Sequence, residues 1–155
     1  MVRARRDREF IVLAVSSGGG HWEELMLLRP ALVGINPVFA TTSVELARRD
    51  HIDAFEFLPD ANRDEPWRAA ICFMASFRLI RKVRPNMLIT TGALPGLFCL
   101  IFARLLGART IWIDSIANSD RPSLSGTIAR PFAHEWFTQW EHLATHSKRY
   151  EGAVL

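Results

Sequence analysis

The chain has 155 residues, of which 49% are hydrophobic and 23% charged, proportions that fit one globular domain and exclude a disordered, fibrous or two-domain protein. Its formal charge of +3 and pI near 9.4 suit an anionic membrane surface or a phosphorylated ligand. Two cysteines, Cys72 and Cys99, have no CxxC spacing and no histidine beside them, which excludes a structural zinc site and points to a reducing cytoplasm.

Residues 1–9 read as a basic extension carrying Arg3, Arg5, Arg6 and Arg8, followed by a single domain over 10–155. The run 10–15 is too short for a signal-peptide core and has no small-residue cleavage site after it, so export is not expected. It is continuously apolar and closed by Ser16-Ser17-Gly18-Gly19-Gly20, the pattern of a buried parallel strand ending in a tight loop. Leu25, Leu28 and Leu32 predict a helix over 21–33, stopped by Gly34. A strand over 37–41, a helix over 44–49 capped by Ser43 and a strand over 54–58 follow.

After a polar loop, Ile71, Met74, Phe77 and Ile80 recur at three-residue steps, predicting a long amphipathic helix over 67–83 that ends before Pro85. The apolar stretch 87–108 approaches the roughly 20 residues a membrane span needs. Thr90, Thr91, Gly92, Pro95, Gly96 and Arg104 break it into a strand (87–90), a loop and a helix (94–106), so no transmembrane helix is expected. A strand over 109–114, a polar loop, a helix over 123–133 and a last strand over 135–138 complete the reading. Strands alternating with helices give an α/β fold with a mostly parallel sheet covered on both faces, and ligands then bind beyond the carboxyl ends of the strands. The loops 16–21, 91–94 and 114–123 are therefore the candidate site.

The stretch Ser17-Gly18-Gly19-Gly20-His21 lets backbone approach a ligand closely, and the helix after it offers amides to a diphosphate. It has neither GxGxxG order nor a P-loop lysine, so a turn without a ligand stays open beside that reading. His21 stands at the first turn, where a neutral imidazole can take a proton from an attacking hydroxyl. Glu24, one turn on, either orients His21 or simply suits the helix dipole. Asp114, with Ser115 after it, is expected at the crevice mouth as a second candidate base, or else as part of an Asx turn. No hydrolase elbow, metal helix or nucleic-acid motif accompanies these residues, and no metal or cofactor is expected.

The ordered set Ser17-Gly18-Gly19-Gly20-His21 with Glu24, Arg84-Pro85-Asn86 before Thr90-Thr91-Gly92, Asp114-Ser115, Ser123-Leu124-Ser125-Gly126, Gln139-Trp140 and Tyr150-Glu151-Gly152 resembles a known family. That family is the acceptor-side, membrane-recruiting subunit of the two-component UDP-GlcNAc transferase of dolichol-linked oligosaccharide synthesis, with its bacterial exopolysaccharide relatives. The resemblance implies a Rossmann-like domain, the N-terminal-type half of a GT-B glycosyltransferase. It also implies a separate subunit that binds the UDP-sugar, and an acceptor carried on a polyprenyl or dolichyl diphosphate.

The glycine-histidine loop looks like that of the glycosyltransferase making peptidoglycan lipid II, where it faces the acceptor diphosphate. Asp114 occupies a place where the family usually has glutamate. The N-terminal membrane helix of eukaryotic members is missing, which favours a bacterial form peripheral to the cytoplasmic face of the membrane.

The expected function is thus inverting sugar transfer, with His21 or Asp114 as base and with Ser17, Gly18, Gly19, Gly20, Thr91, Gly92 and Ser115 around the acceptor phosphates. The basic extension and the 67–84 helix are expected to meet the membrane. Two other classes remain open at this stage: a non-catalytic recruitment module for the donor-binding subunit, and a self-sufficient nucleotide-binding domain.

Overall fold

The computed structural model describes residues 10–61 and 64–154; the arginines of the 1–9 extension lie outside the described residues. Seven strands form one sheet: β1 (Val12–Ser16), β2 (Val38–Thr41), β3 (Phe55–Phe57), β4 (Met87–Thr90), β5 (Arg109–Ile113), β6 (Glu135–Thr138) and β7 (Arg149–Tyr150). Their order is β3-β2-β1-β4-β5-β6-β7, and every neighbouring pair is parallel. β1 lies inside the sheet, between β2 and β4, with all five residues buried, which is why 10–15 reads as uninterrupted apolar sequence.

Helices cover both faces. α1 (Gly20–Leu27) and α2 (Val44–Arg49) lie over one, where Ala14, Trp22, Leu25, Leu32, Phe39, Ala47 and Ile52 form a core cluster. α3 (Pro66–Val83), α4 (Ala93–Leu105) and α5 (Leu124–Ala129) lie over the other, where Leu13, Val15, Leu88, Leu100 and Trp112 belong to a larger cluster. β1 serves both because successive side chains of a strand point to opposite faces: Ala14 enters the first cluster, Leu13 and Val15 the second. The α/β expectation, a parallel sheet with helices on both faces, is borne out.

Four local expectations need correction. The helix expected over 21–33 ends at Leu27 and gives way to a 3-10 turn, Arg29–Leu32, because Pro30 has no amide to continue the α-helical ladder. Pro131 does the same to the helix expected over 123–133, which runs only over Leu124–Ala129 before a 3-10 turn, Arg130–Phe132. β7 was not anticipated: two exposed residues carry no apolar pattern, and they are a strand only through pairing with Phe137 and Thr138.

The fourth concerns α3. A strict three-residue step falls short of 3.6 per turn, so the series Ile71, Met74, Phe77, Ile80 winds around the helix instead of marking one face. The buried residues are Cys72, Ser76, Leu79 and Ile80, while Ile71 and Met74 face solvent together with Trp67, and the partly exposed Phe73 packs its ring against Phe98 and Phe102 of α4. No described helix is long and apolar enough to cross a membrane.

The order of the strands reverses between β1 and β4. Chains leaving these two strands turn to opposite faces of the sheet, so a crevice opens between the loop after β1 and the loop after β4.

Candidate functional site at the switch point

Gly19 precedes α1 with a φ of 70°, a left-handed conformation that glycine adopts without the Cβ penalty. The chain thereby turns sharply enough to put His21 in the first turn of α1, facing the loop after β4. There the two loops bond reciprocally. His21 Nδ1 lies 2.9 Å from the Thr91 carbonyl oxygen, and Thr91 Oγ1 donates to the His21 carbonyl at 2.7 Å. A carbonyl only accepts, so Nδ1 carries the hydrogen of the neutral ring and Nε2 keeps a lone pair for a proton.

Gly92, at φ 125°, holds this arrangement by having no side chain: a Cβ there would stand 3.1 Å from His21 Cε1 and 3.6 Å from Trp112 Cζ2. Trp112, buried near the end of β5, and the His21 imidazole therefore both lie beside Gly92. Sequence reading took Trp112 only as a pleat residue, and nothing in its strand pattern marks it as a site residue.

Of the expected phosphate-binding glycines, Gly18 is differently employed. Its amide donates to Thr42 Oγ1 at 2.9 Å, tying the loop to the end of β2, and a Cβ on it would lie 3.1 Å from Ser43 Cβ. The expectation that the Gly18 amide faces a diphosphate is therefore corrected. The amides of Gly20 and His21, at the first positions of α1, have no intrahelical acceptor. Ser17 is buried and its hydroxyl donates to the neighbouring Gly18 carbonyl at 3.3 Å.

Glu24 does not orient His21 through its bonded oxygen. It is 5% exposed, and its Oε1 accepts from Ser115 Oγ at 2.7 Å and from the Ile116 amide at 2.9 Å. Orientation of the imidazole comes from Thr91, while Glu24 fixes the loop after β5. Ser115, an expected phosphate ligand, in turn accepts from the Ala117 amide. The other flank of this loop is clamped by Gln139, whose Nε2 donates to the Asp114 carbonyl, and by Trp140, whose indole donates to the Ile116 carbonyl.

Asp114 is not at the crevice mouth. Its side chain is 2% exposed and folds back under α5, where Oδ1 accepts from Trp112 Nε1 at 3.2 Å. Gly126 makes room, since a Cβ there would stand 2.8 Å from Asp114 Oδ1. Burial pushes the Asp114 carboxyl up from its ordinary range, against the opposing effects of the Trp112 N–H, the Lys148 charge and Ser123, and Glu24 adds to the rise.

Lys148, also buried, holds its ammonium 5.1 Å from the centre of the Trp136 ring, and burial lowers its pKa while Asp114 opposes that. Asp114 Oδ2 and Glu24 Oε2 have no hydrogen-bond partner among the described residues. Nor do three or more His, Cys, Asp or Glu side chains converge among them in a way that could hold a metal ion.

The structure therefore joins His21 to Thr91 beside Gly92 and Trp112, joins Glu24 to Ser115, and bonds the buried Asp114 to the Trp112 indole.

Residues 63–154, more than half of the chain, match the family model described as "Oligosaccharide biosynthesis protein Alg14 like". The matched range includes Thr91, Gly92, Asp114 and Ser115, while the glycine-histidine loop and Glu24 precede it. Three curated relatives carry the name UDP-N-acetylglucosamine transferase subunit ALG14. That of Yarrowia lipolytica is 32% identical over 89 residues, 54% of this chain and 41% of the relative. That of Eremothecium gossypii is 29% identical over 86 residues, 48% of this chain and 38% of the relative. That of Candida albicans is 31% identical over 85 residues, 51% of this chain and 39% of the relative. The chain thus spans about two-fifths of the length of these relatives.

Among solved structures, MurG of Acinetobacter baumannii superposes with a TM-score of 0.71 at 11% identity, over 91% of this chain and 45% of that one. A glycosyltransferase from Rickettsia africae superposes with a TM-score of 0.63 at 10% identity, over 93% and 43%. The fold is the Rossmann-like, N-terminal-type half of such two-domain proteins.

Proposed function

The chain belongs to the family of Alg14-like oligosaccharide biosynthesis proteins, and from this premise we propose that it is the acceptor-side part of a split, inverting UDP-sugar transferase. A separate subunit holds the nucleotide sugar, of the UDP-GlcNAc type named for the fungal relatives. This chain holds a sugar carried on a polyprenyl diphosphate at the cytoplasmic face of a membrane.

The observation that carries this reading is the reciprocal pair of hydrogen bonds between His21 and Thr91. They present an imidazole with its Nε2 lone pair free at the switch-point crevice, where open α/β sheets bind ligands. The acceptor hydroxyl oxygen attacks the anomeric carbon of the donor sugar, the bond from that carbon to the UDP oxygen breaks, and UDP departs. The hydroxyl proton passes to His21 Nε2. Asp114, buried and bonded to the Trp112 indole, is a poorer candidate for the base than His21. The amides of Gly20 and His21, at the positive end of α1, suit the acceptor diphosphate.

The solvent face of α3 supports the membrane part of the reading. Trp67, Ile71, Phe73 and Met74 are 59, 49, 40 and 47% exposed. Arg68 and Arg81 lie on the same helix, with their guanidinium groups over the Trp67 and Phe77 rings. Aromatic and aliphatic groups beside cations suit the headgroup boundary of an anionic bilayer.

Transfer assays on vesicles containing a polyprenyl-diphosphate-linked sugar test both parts at once. Product is expected only when this chain and its partner are both present. Trp67→Ser with Met74→Ser should lower the rate on vesicles but not on a detergent-dissolved short-chain acceptor. An equal loss with both acceptors would assign the α3 face to some other task.

A further inference from the structure

We propose that the pocket between the 3-10 turn after α5 and the start of β7 binds inorganic phosphate or a phosphate monoester, with Arg130 as its main cation and the Trp136 indole N–H as a further donor. The site goes beyond the transferase reading and does not depend on it. Its walls stand at the amino ends of β6 and β7, whereas the crevice beside His21 opens at the carboxyl ends of the parallel strands.

The pocket has a volume of about 420 Å³, and Arg130, Glu135, Trp136, His146, Ser147 and Arg149 are among its lining residues. The carboxylate in this lining is already neutralised: Glu135 accepts from Arg109 at 2.9 Å and from Arg149 at 3.4 Å. His134, also in the lining, is taken up by Arg104 and by the Thr110 amide. Arg130 is exposed and forms no ion pair among the described residues, whereas Arg49, Arg68, Arg109 and Arg149 are each held by a carboxylate. Its guanidinium donates to Ser147 Oγ at 2.9 Å, which fixes it at the wall.

Two buried groups beside the pocket favour an anion. Trp136 is 7% exposed, and its Nε1 has no hydrogen-bond partner among the described residues. Folded proteins leave few buried donors in that condition. Lys148, buried between the lining residues Ser147 and Arg149, holds its ammonium over the same indole ring. Burial lowers the Lys148 pKa, Asp114 opposes that, and the Arg130 charge lowers it further, so the two cations repel each other. A phosphate beside the indole gives the N–H an acceptor and relieves that repulsion. The guanidinium fork matches two of its oxygens and leaves a third for the other donors, which a carboxylate does not have.

Titration of the isotope-labelled whole chain with inorganic phosphate, at constant pH and ionic strength, tests the site through the indole N–H resonance of Trp136, assigned with Trp136→Phe. The resonance should shift saturably with phosphate, and acetate should bind more weakly. Arg130→Gln should weaken phosphate by about tenfold or more, the loss of a charge-assisted hydrogen bond, and Arg130→Lys should restore part of that loss. Arg130 is exposed, so the thermal midpoint of Arg130→Gln in chloride should match the parent.

Glycerol phosphate and vesicles containing phosphatidic acid separate a soluble ester from a lipid headgroup. Binding of glycerol phosphate, with vesicle pelleting unchanged in Arg130→Gln, would assign the site to a soluble phosphate, and pelleting that falls in this variant would assign it to a headgroup. A shift that rises without saturation, or equal phosphate affinity in Arg130→Gln, would overturn the site. Acetate binding as tightly as phosphate would overturn the phosphate assignment.

Discussion

His21→Ala is expected to lower sugar transfer by about 10²–10⁴-fold, the range that a positioned general base contributes, while assembly with the donor-binding partner stays intact. The imidazole is half-buried at the crevice, and the bonds that fix it run to the Thr91 backbone and side chain. Removing the ring deletes the proton acceptor and the Nδ1 bond but leaves the bond from Thr91 Oγ1 to the residue-21 carbonyl. The fold should therefore survive.

His21→Gln gives a second reading of the same point. Its amide can still donate to the Thr91 carbonyl, yet it has no basic nitrogen, so it should be nearly as inactive as alanine. Steady-state rates with saturating acceptor separate the two possibilities. Full turnover in either variant would remove His21 from the reaction and leave the chain as a binding and recruiting domain.

Glu24→Ala is expected to cost about 3 kcal/mol of stability, because it leaves the buried Ser115 hydroxyl and the Ile116 amide without their acceptor, each worth about 1–3 kcal/mol when unsatisfied. For a chain of this size that corresponds to a fall in thermal midpoint of about 6–12 °C. Glu24→Gln keeps a side-chain oxygen for the same two donors and should lose much less. The loop after β5 should also loosen in the alanine variant, since Glu24 is its tether on the α1 side and Gln139 and Trp140 hold the other. Urea unfolding monitored by tryptophan fluorescence measures the difference. A Glu24→Ala protein as stable as the parent would mean that water takes over both donors and that Glu24 has no structural role.

Much of the architecture was legible because the sheet is parallel and buried. The strands at 87–90 and 135–138 were read with the bounds they have in the structure. The family resemblance was legible for a different reason. Thr91-Gly92, Asp114-Ser115 and Ser123 to Gly126 sit at the carboxyl ends of strands or at the helix starts that follow them, and the match over 63–154 bears it out.

What was not legible depended on distant partners. Glu24 lies 91 residues from Ser115, and a first-turn acid gives no sign in its own segment that it will bond so far away. Asp114 follows a buried strand and reads as a crevice residue, yet the absence of a side chain at Gly126 and the indole of Trp112 draw it beneath α5. Pro30 and Pro131 were visible as residues but were read through, because the leucine spacing around the first suggested one continuous helix.

The most direct test of the split-transferase account is to purify the tagged chain from its native cells and identify what accompanies it by mass spectrometry. The account predicts a separate polypeptide with a UDP-sugar-binding domain, present in stoichiometric amount and required for transfer activity. A chain that comes away alone and transfers sugar by itself would contradict it.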